Sequence, residues 1–422
     1  MEPPSTWFTL LVSGVTLVGV AFGRLPGVPV SRAVMAAAGA TALLVVGVID
    51  LDDAWRMING EVLLLLFGLM VVNAALASAG AFRRLTGLVT RGTLGPKRLL
   101  ALLVLSSGVL SALFLNDTVV LMLTPMVVRA AQRLGLKPLP YLLGLALAAN
   151  AGSAATITGN PQNVLVAVSA GIGYGPFALR LGPVALAALA VTFCTLLVAF
   201  RGDLRALPRP LAPRGREATA HVDRGKLWLS GVTVLAMLVA FMAGVPVALA
   251  ALTAAVVLLV GHGRAATVLL RRVDYELLVL FGGLFVVVGA LASTGLPAKW
   301  LLGLLGGDAL AAVPSAADLG LLTVVTAGLS TLVSNVPAVL ILLPALEVTA
   351  LPHAASNAVA ITLAMASTLA GNLTLVASVA NLIVAESARR LGVEVGFFSY
   401  LRVGVPVTLL SLLLGWLLVA FT

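Results

Sequence analysis

The stretch ATITGNPQNVLVA, residues 154–166, lies inside a long apolar run yet carries Asn160, Pro161, Gln162 and Asn163. Proline removes an amide donor and its ring collides with the preceding turn, and Gly159 beside it loosens the backbone. A helix from about 141 to 170 therefore has to unwind in its middle. Non-helical backbone at membrane depth survives only where it is buried in protein or faces a wet cavity. The stretch thus predicts a polar site inside a membrane protein.

Composition supports the membrane. Hydrophobic residues make up 60% of the 422 and charged ones 10%, where a soluble domain carries about 25% charged residues. Mean hydropathy is +1.13. Apolar runs long enough to cross a hydrocarbon core of about 30 Å recur from end to end. The first, Trp7 to Gly23, has no basic flank before it and reads as a span rather than a cleavable signal. The net charge of +10 does not point to nucleic acid, because the basic residues are scattered through short connections. With the connections assigned alternately to two sides, all Lys and Arg except Arg56, Arg180 and Lys299 fall on one side. The positive-inside rule makes that side cytoplasmic and places both termini outside, in the cell inner (plasma) membrane. The single Cys194 excludes an intrachain disulfide framework and a cysteine-rich metal site.

The chain repeats itself. EVLLLLFGLMVVNAALASAG (61–80) matches ELLVLFGGLFVVVGALASTG (276–295) at about twelve positions, Glu, Gly and Ser among them. LSALFLNDTVVLMLTP (110–125) then matches LSTLVSNVPAVLILLP (329–344), pairing Asn116 with Asn335. TITGNPQNVLV (156–166) matches TLVASVANLIV (374–384), pairing Thr156 with Thr374 and Asn163 with Asn381. Residues 1–200 form the first unit and 227–422 the second, joined by an Arg- and Pro-rich cytoplasmic linker at 201–226. An odd number of crossings per unit inverts the second relative to the first, an arrangement typical of secondary transporters. The expected fold is an all-α polytopic membrane protein. It has two inverted-topology repeats of about five transmembrane helices, each with one re-entrant helical hairpin and one unwound mid-membrane helix.

The hairpins follow from length. The run at about 99–131 is too long for one span, is interrupted at Asn116-Asp117-Thr118 and has basic residues at both ends. The run at about 319–350 is interrupted at Ser334-Asn335-Val336-Pro337. The unwound helices cover about 141–170 and 354–386. Unwinding frees carbonyls for a cation, and the half-helix that follows offers amides and a positive dipole end to an anion. Substrate contacts are expected from Asn116, Thr118, Asn160, Gln162, Ser334, Asn335, Thr374 and Ser378. A coupling ion is expected at Asn116, Asp117, Gly152, Ser153, Thr156 and Asn163, with a symmetric site at Asn335, Gly371, Asn372 and Asn381. Na⁺ suits these neutral donors, and Asp117 allows H⁺ instead, because intramembrane carboxylates handle ions or protons. No basic residue lies near these blocks in sequence, so helix ends are expected to meet the substrate's charge. His221, His262 and His353 form no ligand cluster. No Walker sequence or protease pattern is present, and no cofactor or enzymatic activity is expected.

At these residues the chain resembles the ion-transporter superfamily of divalent-anion:sodium symporters, citrate-transporter-like permeases and arsenite efflux permeases, over nearly its whole length. GNPQN and GNLTLVASVAN are similar to the paired mid-membrane loops of its anion permeases, and FLNDTVVLMLTP with SNVPAVLILLP to its two hairpins. In the dicarboxylate branch each tip carries Ser-Asn-Thr, whose side chains meet substrate carboxylate. Here the tips read Leu115-Asn116-Asp117 and Ser334-Asn335-Val336, which look more like the arsenite branch, although the acidic residue of that branch's broken spans is missing. The resemblance implies a scaffold, an elevator-like transport domain and a homodimer. The function expected is secondary active transport of a small anion, a carboxylate or an inorganic oxyanion, with Na⁺ or H⁺. The alternative is arsenite or antimonite efflux by H⁺ antiport, with or without a soluble ATPase.

Overall fold

The computed structural model describes residues 4–23, 30–81, 95–205, 223–305, 314–347 and 353–421. Most of the linker (206–222), His221, and basic residues such as Arg24 and Arg83 lie outside them. The elements are helical throughout. In the first unit they are α1 (Pro4–Phe22), α2 (Arg32–Val45), α3 (Leu51–Met57), α4 (Gly60–Ala79), α5 (Pro96–Leu113), α6 (Asn116–Arg133), α7 (Leu139–Ser153), α8 (Pro161–Ser169) and α9 (Tyr174–Ala199). The second unit holds α10 (Arg224–Met242), α11 (Val247–His262), α12 (Ala266–Leu270), α13 (Tyr275–Ser293), α14 (Leu296–Leu305), α15 (Ala316–Val333), α16 (Asn335–Glu347), α17 (His353–Ala370), α18 (Val379–Arg389) and α19 (Phe397–Phe421).

Eight of these are long and apolar enough to cross a membrane: α4, α5, α9, α10, α11 with its continuation to Leu270, α13, α15 and α19. The helices expected to unwind are shorter because they are interrupted. One is α7 and α8 around a 3₁₀ turn at Ile157–Gly159, and the other is α17 and α18 around residues 371–378. The hairpins are α5 with α6 and α15 with α16. Their breaks fall at Phe114-Leu115 and at Ser334, immediately before the two asparagines picked out in sequence.

Packing repeats with the two units exchanged. Helix α2 packs on α13, and α11 packs on α4. Gly68 of α4 lets its backbone approach Ala251 of α11 so closely that an added Cβ would lie 2.8 Å from the Ala251 carbonyl carbon. Gly283 of α13 does the same to Ala36 of α2, at 2.6 Å. The interval from Gly68 to Gly283 is 215 residues, and so is that from Ala36 to Ala251. One contact has therefore been made twice, with donor and recipient units swapped. Small residues at such crossings allow the close van der Waals packing that holds helices together where lipid removes the hydrophobic driving force. These four helices with α1 and α10 form a frame. The hairpins and broken helices pack together beside it: α5 on α7, α15 on α17, α6 on α18 and α16 on α8, with α9 and α19 side by side.

Candidate functional site

The site is built where the two unwound segments and the two hairpin tips meet. In the first segment Asn160 is extended (φ −156°, ψ 160°) and caps α8, its Oδ1 accepting from the Asn163 amide at 2.8 Å, with Pro161 at the first helical position where no amide is needed. Asn163 turns back, and its Nδ2 donates to the Ser153 carbonyl at 3.0 Å and the Thr156 carbonyl at 2.9 Å. In the second segment Asn381 Nδ2 donates to the Gly371 carbonyl at 2.8 Å and the Thr374 carbonyl at 3.2 Å. Each residue of the second set lies 218 positions after its counterpart. Three of these carbonyls accept a second bond as well, Ser153 from Asn160 Nδ2 at 3.3 Å, Thr156 from the Gly159 amide at 3.4 Å and Thr374 from the Ala377 amide at 3.2 Å.

The segments also hold each other. Asn150 Nδ2 donates to Asn381 Oδ1 at 3.1 Å, and its counterpart Thr368 donates from Oγ1 to Asn163 Oδ1 at 3.1 Å. Ser378 Oγ donates to Asn150 Oδ1 at 3.1 Å, and Asn160 Nδ2 donates to Thr368 Oγ1 at 3.1 Å. One feature breaks the symmetry. Asn372 accepts from Asn150 Nδ2 at 3.0 Å and donates to the Leu147 carbonyl at 3.0 Å, whereas the counterpart of Asn372 is Ala154. The first tip joins through Asn116, whose Nδ2 donates to Asn150 Oδ1 at 3.0 Å. Asn150 is thus the hub of the site.

The residues anticipated from sequence divide into two groups. Asn160, Asn163, Ser153 and Asn381 are fully buried, and their side chains are engaged inside the protein as described, Ser153 Oγ bonding to its own helix and to Asn160. Gln162 is 4% exposed, with Nε2 3.5 Å from Thr368 Oγ1. Thr156 Oγ1 donates to the Ala112 carbonyl, and Thr374 Oγ1 accepts from the Ala377 amide at 3.1 Å. Gly152 has no room for a side chain against Gly108, and Gly371 is crowded by Asn335. The other group stands at the hairpin tips. Asp117 and Thr118 line a cavity of about 300 Å³ beside the first tip. In the second tip Asn335 Oδ1 is buried without a hydrogen-bond partner among the described residues. Ser334 before it takes φ 76°, the one positive value at a non-glycine residue among those described. Ser111 and Ser330, buried one turn before each tip, also have hydroxyls without partners among the described residues.

The expectation that no basic residue lies near the site needs correction. Arg272 lines the same cavity as Asp117, brought there from more than 150 residues away, and its Nη1 donates to Ser78 Oγ at 2.8 Å. Asp274 and Asn73 line it too, and Arg32 and Asp274 act electrostatically on Asp117.

A buried polar centre made from interrupted helices of two exchanged units defines a multi-pass membrane transporter. The citrate transporter family, CitMHS, matches residues 17–360 and 316–421, and the chain belongs to that family. It is 32% identical to the silicon efflux transporter LSI3 of Oryza sativa subsp. japonica, covering 95% of each chain. It is 31% identical to an uncharacterized transporter of Mycobacterium tuberculosis, covering 96% of this chain and 97% of that one. A putative transporter arsB of Dictyostelium discoideum is 24% identical over 97% of this chain and 91% of its own. The crystal structure of the YdaH transporter of Alcanivorax borkumensis, described as having an unusual topology, shares the fold. Its TM-score is 0.59 at 20% identity, covering 99% of this chain and 98% of that one.

Proposed function

We propose that this protein is a secondary active transporter of a small oxyanion or its undissociated oxyacid, coupled to Na⁺ or H⁺. The basic loops would be cytoplasmic and both termini outside. The observation that carries the reading is the meeting of both unwound segments and the first hairpin tip in one hydrogen-bonded centre, with Asn335 of the second tip packed against Gly371, beside a cavity of about 300 Å³. A cavity of that size suits a compact solute.

In this reading Asp117, Thr118, Ser334 and Asn335 meet the substrate, because they stand at the tips. Asn160, Gln162, Thr374 and Ser378 shape the loops behind them. The carbonyls of Ser153 and Thr156, with Asn116, would hold one coupling cation, and those of Gly371 and Thr374, with Asn335, a second. Carbonyls of unwound helices suit that role, and the unpartnered Ser111 and Ser330 hydroxyls add further oxygen donors.

Within this class an uncharged oxyacid, such as a metalloid hydroxide, is favoured over a polyvalent carboxylate. Asp117 and Asp274 flank the cavity with Arg272 at its wall and Arg32 acting on Asp117, so these charges balance and a polyanion would find no net positive field. The similarity to a silicon efflux transporter points the same way and favours efflux by proton antiport through Asp117. The deciding experiment uses purified protein in proteoliposomes. Flux of silicic acid, arsenite, phosphate, sulfate, citrate and succinate is followed with and without Na⁺ and with an imposed pH step. Flux of silicic acid or arsenite driven by the pH step supports antiport of an oxyacid. A Na⁺-dependent current with citrate or succinate would overturn it in favour of carboxylate symport.

A further inference from the structure

Three of the polar side chains around the first hairpin tip, Asn73, Asp117 and Arg272, have apolar counterparts around the second. The interval of 215 residues that carries Gly68 to Gly283 also carries Asn73 to Val288, Met57 to Arg272 and Asn59 to Asp274. At the tips, where the interval is 219, Asp117 corresponds to Val336. Asn59 and Asp274 keep one shared task, capping α4 and α13 through the amides of Val62 at 3.1 Å and Leu277 at 3.0 Å. Otherwise the chemistry differs. Met57 packs over Gly289, leaving no room there for another side chain. Its counterpart Arg272, tied to Ser78, stands at the wall of an open cavity beside Ala74.

Asn73 adds an independent observation. It is 3% exposed, lines that cavity, and its Nδ2 has no hydrogen-bond partner among the described residues. Leaving a buried amide unpaired is costly, so a donor kept beside a cavity points to a ligand oxygen as its partner. The cavity has a defined place as well. It reaches Met70, Asn73, Ala74 and Ala77 in the second half of α4, and Leu277 at the start of α13. The start of α13 follows the connection that carries Arg264, Arg271 and Arg272.

We propose that Asn73, Arg272 and Asp274 form a one-sided receiving site. It holds the oxygen atoms of a small oxyacid when the first tip faces the basic side, and nothing equivalent holds them at the opposite face. Asn73 Nδ2 and the Arg272 guanidinium donate to oxygen acceptors, and the Asp274 carboxylate accepts from a hydroxyl. Charge-assisted bonds of this kind are the strong ones. The two faces of the transporter then differ in affinity for the same solute. This inference rests on the transport reading above.

The test uses full-length protein in inside-out and right-side-out membrane vesicles, with initial uptake of silicic acid and of arsenite measured from each face. The variants Asn73→Val and Arg272→Met copy the residues of the other unit, and Arg272→Lys keeps the charge without the fork. In Asn73→Val and Arg272→Met, KM from the basic face is expected to rise about tenfold, while KM from the opposite face moves less than twofold. Arg272→Lys should recover part of the loss. Because Asn73→Val removes an unpaired amide, its melting temperature should equal or exceed that of the parent while its affinity falls, the reverse of a structural role. An equal rise from both faces, or no change from either, overturns the proposal. Failure of the parent protein to carry either solute would instead defeat the oxyacid reading on which it rests.

Discussion

The two hairpin tips occupy equivalent places and solve the same geometric problem differently. The first breaks at Phe114 and Leu115, both at negative φ, and begins its second helix with Asn116 bonded to the Asn150 hub. The second breaks at Ser334 in a strained conformation (φ 76°, ψ 160°) and begins with Asn335, whose Oδ1 has no partner among the described residues. The first tip is tied in place and faces a carboxylate-bearing cavity. The second carries stored strain and an apolar Val336 where the first has Asp117. The two tips share a backbone plan and carry unequal chemistry.

The strongest way to break this comparison is to remove the hub that both units share. Asn150→Leu would strip partners from Asn116, Asn372, Ser378 and Asn381 at once. Leaving several buried polar groups unpaired is expected to abolish transport and lower the melting temperature by many degrees. Uptake and thermal unfolding of the purified variant check this, and a variant that still transports would show that the units do not depend on each other. Next in size is Asp117→Asn, expected to abolish pH-driven flux. Flux that keeps its pH dependence in Asp117→Asn would sink the proton role. Gly68→Ala and Gly283→Ala test whether the exchanged crossings are equivalent, since a Cβ at either would press on backbone. Each is expected to cost about 1–3 kcal/mol of stability by overpacking, and a clear inequality in their melting temperatures would mark one crossing as more compliant. The smallest change is Ser334→Gly, which relieves the positive φ and should stabilise by about 1 kcal/mol, whereas Leu115→Gly should destabilise slightly.

Much of this was legible in the chain. Pro161, the asparagine pairs and the long runs with polar middles lie where the helices are interrupted. These signals are local, because a helix interrupted in hydrocarbon must show the interruption in its own residues. What the sequence hid was partnership at a distance. Arg272 reads as one of several basic residues in a short loop and Asp274 as a helix cap, and nothing in either neighbourhood announces that they stand opposite Asp117. Asn150 lies among alanines and leucines with no sign that it reaches the other unit. Asn73 did leave a trace, as the one amide in MVVNAALA facing a valine in the aligned copy. A position-by-position comparison of the repeats for lost symmetry would have found it.

The crossings of α4 with α11 and α2 with α13 carry a consequence for how this machine moves. A joint lined with leucine or methionine has slack, since side chains can change rotamer and let one helix slide. At Gly68 and Gly283 main chain lies directly on main chain, with nothing that can give. Those joints are expected to act as welds, which would leave the seam between frame and hairpins, where the cavity lies, to take up a transport stroke.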